Sequence, residues 1–282
     1  MKDVWKLYQF LSSTLLACFF RFLLIGVGFI RAVSDTISTV LLATVILTIT
    51  MIIAGVTLYA MTLSSKRLEF EQMRTTYIAL AQSISSMLSG GDFYSVIPTF
   101  ETSFGYRDAG VIAVDSAEEQ IAKLKCLILE SRFTGLGVDG EKYFGPLGQD
   151  ARVVSDARLI PSVYAIVERG ATLLRLDTCR LLASFEVKSD PYEASRLIYF
   201  LTISFINLNT TIVQEGRTGD ALVYARIEGD PIQYTWLGDG SSLRITFPDE
   251  TVLNIRDLIE EYPGGTVRLD IIVYNLRVEV RV

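Results

Sequence analysis

No charged residue occurs between Thr36 and Ser65, and the core of this run, Ile37–Met61, is almost wholly apolar. That exceeds the ~20 apolar residues needed to cross a hydrocarbon layer ~30 Å thick. The polar side chains within it belong to Ser38, Thr39, Thr44, Thr48, Thr50 and Thr57, which can bond back to their own helix or across to a neighbour. Ala54 and Gly55 form a small-residue patch that a second helix could approach closely. Beyond Lys66-Arg67 the pattern becomes periodic. Phe70, Met73, Tyr77, Leu80, Ile84 and Met87 are spaced 3, 4, 3, 4 and 3, an a/d seam on one helical face. Ser89-Gly90-Gly91 supplies the stop. One helix is therefore expected from about 36 to about 88, roughly 80 Å long at 1.5 Å per residue. Residues 37–61 are its membrane span and 64–89 its amphipathic extension. The seam has two uses open to it: docking on the chain's own β domain, or packing against other subunits.

An earlier apolar stretch, Tyr8–Ile30, carries Arg21 in its middle. Residues 1–32 read either as a hydrophobic leader or as a first transmembrane segment, and 33–90 as the long helix. From 91 to 282 short alternating runs between turn residues predict a β-rich domain, either a sandwich or two packed subdomains. Strands are expected near 95–105, 109–114, 122–133, 151–160, 162–168, 172–187, 196–213, 221–228, 232–237, 242–247 and 266–282. Turns are expected at Gly238-Asp239-Gly240 and Gly264-Gly265, a loop at Glu215–Asp220, and a short helix at Ile255–Tyr262. In the last strand Val267, Leu269, Ile271 and Val273 share a face. After Tyr274-Asn275 the apolar phase moves to Leu276, Val278, Val280 and Val282, which predicts a bulge or bend. The fold class is α+β and membrane-anchored, a long helix followed by a sandwich-like head.

Composition sharpens this picture. The chain is 50% hydrophobic over 282 residues, above the level of an ordinary soluble domain. Residues 1–89 hold 7 Lys+Arg against 4 Asp+Glu, net +3, and 90–282 hold 19 against 28, net −9, which together make the −6 of the whole chain. An acidic C-terminal part argues against a nucleic-acid partner. A basic N-terminus suits the cytoplasmic end of a membrane segment, with the C-terminal domain outside. The chain has no histidine, which removes His-based triads, Cys–His dyads and H-E-x-x-H zinc sites. Cys126 and Cys179 both fall in the C-terminal domain. They pair if that domain faces an oxidising compartment, or stay as two buried thiols. Asn209-Thr210-Thr211 is the one N-x-[ST] sequon, a possible glycosylation site on an exported domain.

The run Arg31-Ala32-Val33-Ser34-Asp35-Thr36-Ile37-Ser38-Thr39-Val40-Leu41-Leu42 resembles the start of archaeal type IV pilins and archaellin-like surface proteins. There a basic and a small residue precede the cut, and a short polar stretch and the hydrophobic helix follow. Ser195–Asn209 also resembles a strand found in heads of this kind. The resemblance implies a class III signal peptide cut by a prepilin-type peptidase after Ala32, a mature chain starting at Val33, and self-assembly with other pilin-like subunits into a cell-surface filament. It implies no catalysis and no cofactor.

Other motifs carry less. Gly135–Gly140 matches G-x-G-x-x-G, but a dinucleotide site needs a helix directly after it, and Glu141–Gln149 is broken by glycine and proline. The acidic pairs Glu118-Glu119, Asp249-Glu250 and Glu260-Glu261 read as solvated surface, since glycosidase chemistry needs two acids converging across a cleft. The Asp/Gly loops at 138–141 and 238–241 lack the spacing of a calcium loop. Phe93, Tyr94, Phe100, Phe104 and Tyr106 are expected to pack the end of the helix onto the head. Trp236 is expected to pack in a hairpin rather than to form an adhesive tip.

Overall fold

A computed structural model describes residues 35–87, 91–98, 102–136, 142–144, 152–154, 161–189, 197–213, 220–259, 262 and 264–281. Residues 1–34, with the expected processing positions Arg31, Ala32 and Val33, lie outside the described residues, as do Phe100, Gly137–Gly140 and Glu260-Glu261.

Helix α1 covers Asp35–Met87, a single element of 53 residues. Its two parts belong to different compact units, Met1–Thr62 and Leu63–Val282. The strand-bearing unit thus begins inside the helix, at Leu63, rather than after it. In the first unit Val40, Leu41, Leu42, Ile46, Leu47, Met51, Ile53, Leu58 and Met61 are all more than half exposed. A run so rich in Ile, Val and Thr is a poor isolated helix in water, where β-branched side chains lose rotamer freedom. The helix ends at Met87, and the Gly91 N–H donates back to the Ser86 carbonyl at 3.2 Å.

Among the described residues the second unit holds two seven-stranded sheets. The strands are β1 (Asp92–Pro98), β2 (Ser103–Asp115), β3 (Gln120–Thr134), β4 (Lys142–Tyr143), β5 (Val153–Val154), β6 (Ser162–Glu168) and β7 (Ala171–Asp177), then β8 (Leu181–Ser189), β9 (Leu197–Val213), β10 (Asp220–Ile227), β11 (Ile232–Asp239), β12 (Arg244–Thr246), β13 (Val252–Asn254) and β14 (Thr266–Arg281), with a one-turn helix α2 at Ile255–Leu258. The first sheet runs β1-β10-β14-β9-β8-β5, with β11 also on β14; the second runs β13-β12-β2-β3-β7-β6-β4. Pairs β9–β14 and β5–β8 are parallel and the others antiparallel.

Several expected strands resolve differently. The 95–105 run is two strands, β1 and β2, and 109–114 is part of β2. The 172–187 run is also two. The Asp177 carboxylate accepts the Cys179 N–H at 2.8 Å, and the Arg180 N–H closes back on the Thr178 carbonyl, so the chain leaves one sheet as β7 and enters the other as β8. No glycine or proline marks this turn, so the run reads in sequence as one strand. Of 151–160 the structure describes only the short strand β5. Strand β11 continues through Asp239, so the expected 238–240 turn moves to a 3-10 turn at Gly240–Ser242, capped by the Asp239 side chain. Helix α2 is half the expected length.

The phase shift in β14 has a cause other than the expected bulge in that strand. Its register with β9 is unbroken from Thr266↔Ile198 to Arg281↔Val213. What changes is the core it serves. Val267, Leu269, Ile271 and Val273 enter one core with Tyr199, Leu201, Ile203 and Phe205 of β9. Leu276, Val278 and Val280 enter the other with Ile206 and Leu208. Strand β3 does the same, sending Leu124, Cys126 and Ile128 into the first of these cores and Leu127, Leu129 and Phe133 into the second. The extra residues sit on the neighbouring strand: β10 ends at Ile227↔Leu276, β11 starts at Ile232↔Val273, and 228–231 bridge the gap. Asn207 and Asn275, paired at the switch, join side chains at 2.8 Å.

Candidate functional site

Two surfaces and two buried groups stand out. The first surface is the apolar half of α1. Thr44, Thr48, Thr50, Thr57 and Thr62 each donate their hydroxyl to the carbonyl four residues earlier, at 2.8–2.9 Å. These polar side chains thus need no partner outside the helix, the condition a hydrocarbon environment imposes. Among the described residues α1 is the one helix long and apolar enough to cross a membrane, by length and composition. Ala54 and Gly55 are exposed, and a Cβ placed on Gly55 would meet nothing within 4 Å.

The seam is used within the chain. Phe70, Met73, Tyr77, Leu80, Ile84 and Met87 are all 0–5% exposed and lie in one core with residues of both sheets. Each contributes about 1.5–3 kcal/mol by leaving water. Phe70 sits edge-on to Phe133 at 5.3 Å, and the Tyr77 hydroxyl bonds Ser131 Oγ at 2.6 Å. The buried Glu69 carboxylate accepts from the Thr102 N–H at 3.3 Å and from its hydroxyl, and Lys66 Nζ donates to the Thr134 carbonyl at 3.2 Å. These bonds set the helix register as well as its face. Of the two uses open to the seam, docking on its own domain is the one this fold realises.

Of the aromatic group after the helix, Phe104 is buried and Phe93 partly buried in that same core, whereas Tyr94 and Tyr106 are exposed. Trp236 packs against the other core, opposite Leu269 in the ladder and over Gly238. Asn209 is exposed on β9. Glu118-Glu119 and Asp249-Glu250 sit in exposed turns. The Asp239 carboxylate is held below its usual range by the Ser241 hydroxyl and N–H, which occupy both its oxygens. After the Gly135 loop the next described element is strand β4. Among the described residues no group of three or more Cys, Asp or Glu converges as metal ligands do.

The first buried group is Arg175, which sequence reasoning passed over as one residue in an apolar strand. Its side chain is 6% exposed and meets Glu130 through Nε and Glu168 through Nη2 at 3.0 Å. Burial opposes its charge, but the hydrogen bond and charge of Glu130 outweigh this and raise its pKa. Nearby, burial and the Asp177 carboxylate push the Tyr164 phenol up to about 12, against the pull of Arg175. An unfolded tyrosine titrates near 10. Between pH ~10 and ~12 the unfolded chain therefore loses a proton that the folded one keeps, and stability falls as pH rises, by at most about 1.4 kcal/mol per pH unit for this group. Urea unfolding of wild type and Tyr164→Phe at pH 9, 10 and 11 checks this. The variant is expected to lose less stability over that interval, and equal slopes would dismiss the effect. The second buried group is the pair Cys126 and Cys179, both free thiols.

No protein-family model, no curated protein and no solved structure matches this chain. The class of protein follows from the coordinates alone: one long apolar N-terminal helix followed by a β-rich domain.

Proposed function

We propose that the protein is a non-catalytic, pilin-like subunit of a surface filament, anchored in the cell membrane with its β domain outside. The observation that carries the reading is the division of labour along α1. Residues up to Met61 expose apolar side chains, whereas the seam from Phe70 to Met87 is buried in the core of the β domain. The free half suits a membrane before assembly and a bundle of like helices after it, where Ala54, Gly55 and the self-bonded threonines permit close approach. The resemblance around Arg31-Ala32-Val33 supplies the route, cleavage by a prepilin-type peptidase. Because the seam is occupied, contacts between copies fall to the 39–61 half and to the outer faces of the domain. A second reading is a monomeric anchored domain for binding or sensing, favoured by the same occupied seam.

N-terminal sequencing with intact mass decides between them, on protein from native membranes or sheared surface filaments. A chain starting at Val33 is expected. A chain that keeps Met1 and the Tyr8–Ile30 segment would remove the pilin route and leave a membrane protein of two apolar segments.

A further inference from the structure

Strands β3 and β7 pair in antiparallel register from Thr134↔Ala171 to Ile128↔Asp177. The alignment continues past the last ladder pair. Thr178 falls opposite Leu127, and its hydroxyl donates to the Leu127 carbonyl at 3.2 Å. Cys179 follows Thr178 in the turn, as Cys126 precedes Leu127 on β3. Both side chains point into the same core and are 0–1% exposed. The thiols contact one another, and that contact, burial and the Asp177 carboxylate all push the Cys179 thiol up.

We infer that Cys126 and Cys179 are the site of an intramolecular disulfide that ties the β7–β8 turn to the middle of β3. Two S–H bonds break and one S–S bond forms. The two electrons and two protons pass to an external disulfide, small-molecule or protein, which leaves as two thiols. One cysteine attacks that disulfide to give a mixed disulfide, and the other displaces the carrier. Neither sulfur is reachable in the finished core, and a thiol held protonated is a poor nucleophile. The exchange therefore precedes closure of the core, and the bond once formed is shielded from reductants. It closes the long 126–179 loop at one of the places where the chain passes from one sheet to the other.

The test uses full-length protein from native membranes, unfolded in denaturant with N-ethylmaleimide and no reductant. Peptide mapping is expected to find Cys126 and Cys179 unlabelled, in one cross-linked peptide pair about 2 Da lighter than the two reduced peptides. Labelling of both cysteines before any reduction would overturn the inference. Melting adds a second readout. Wild type reduced in denaturant and refolded with its thiols blocked from re-pairing by maintained reductant is expected to melt on the order of 10 °C below the oxidised form. The Cys126→Ala/Cys179→Ala variant is expected not to respond to reductant. Wild type that melts identically in both states would count against the bond. Neither result depends on whether the chain is cut at Ala32.

Discussion

Replacing Ile46 and Ile53 together with arginine is expected to move the protein out of the membrane fraction. The two residues lie seven apart, on one face of the apolar half of α1, and both are more than half exposed. Each arginine costs about 2.5–3.5 kcal/mol at the centre of a spanning helix, so the pair removes about 5–7 kcal/mol of insertion free energy. That approaches the whole driving force of a single span with a sequence as threonine-rich as this one. The measurement is carbonate extraction and fractionation of tagged full-length protein, beside an Ile46→Leu/Ile53→Leu control expected to stay in the membrane. A double-arginine chain that remains resistant to extraction would contradict a span centred here and point to Tyr8–Ile30 as the anchor. The β domain should be indifferent, because neither residue belongs to either core. Unchanged protease resistance of the strand region is therefore part of the expected result.

The second large effect concerns Arg175. Removing Glu130 leaves a guanidinium that is 6% exposed with only the half-exposed Glu168 to balance it. Breaking a buried pair from one side costs about 3–5 kcal/mol, whereas replacing both partners with apolar groups of similar volume is often neutral or stabilising. Glu130→Ala is thus expected to lower the melting temperature by roughly 6–20 °C for a domain of this size. Glu130→Leu/Arg175→Met is expected to recover most of the loss. The asymmetry is the diagnostic outcome. If Glu130→Ala costs under about 1 kcal/mol, the network is behaving as a surface ion pair. If the double variant is as unstable as the single one, the pair is holding β3 against β7 through geometry that packing cannot replace. Glu168→Gln serves as the reference, since Glu168 also reaches the exposed Arg107 at 3.8 Å and shares its charge with solvent.

Much of this architecture follows from one-dimensional pattern. An uncharged run of this length allows a spanning helix whatever surrounds it, because its threonines satisfy themselves locally. The 3-4 spacing from Phe70 to Met87 marks an apolar helical face wherever that face is buried, and alternation located β6, β9, β10 and β14 within about a residue at either end. Local chemistry decides such features, so the sequence by itself determined them.

Tertiary structure alone decided where each face goes. Periodicity shows that the seam must be covered, but not whether the cover is this chain's own sheets or another subunit. Alternation shows that β14 changes phase at Asn275, but a bulge and a change of core look alike in one strand. They separate only when β9 is seen to change at the same step with its register intact. The turn at Asp177–Arg180 is silent in sequence because it contains neither glycine nor proline and is closed by the Asp177 side chain instead. The Arg175 network is silent for a related reason: it joins Glu130 and Arg175, 45 positions apart, brought together only by the pairing of β3 with β7. Cysteine count alone offered Cys126 and Cys179 as a pair, but only the fold puts both in one core. The capacity to span a membrane is written in the length and composition of a segment, whereas partnership between distant residues exists only once the sheets have formed.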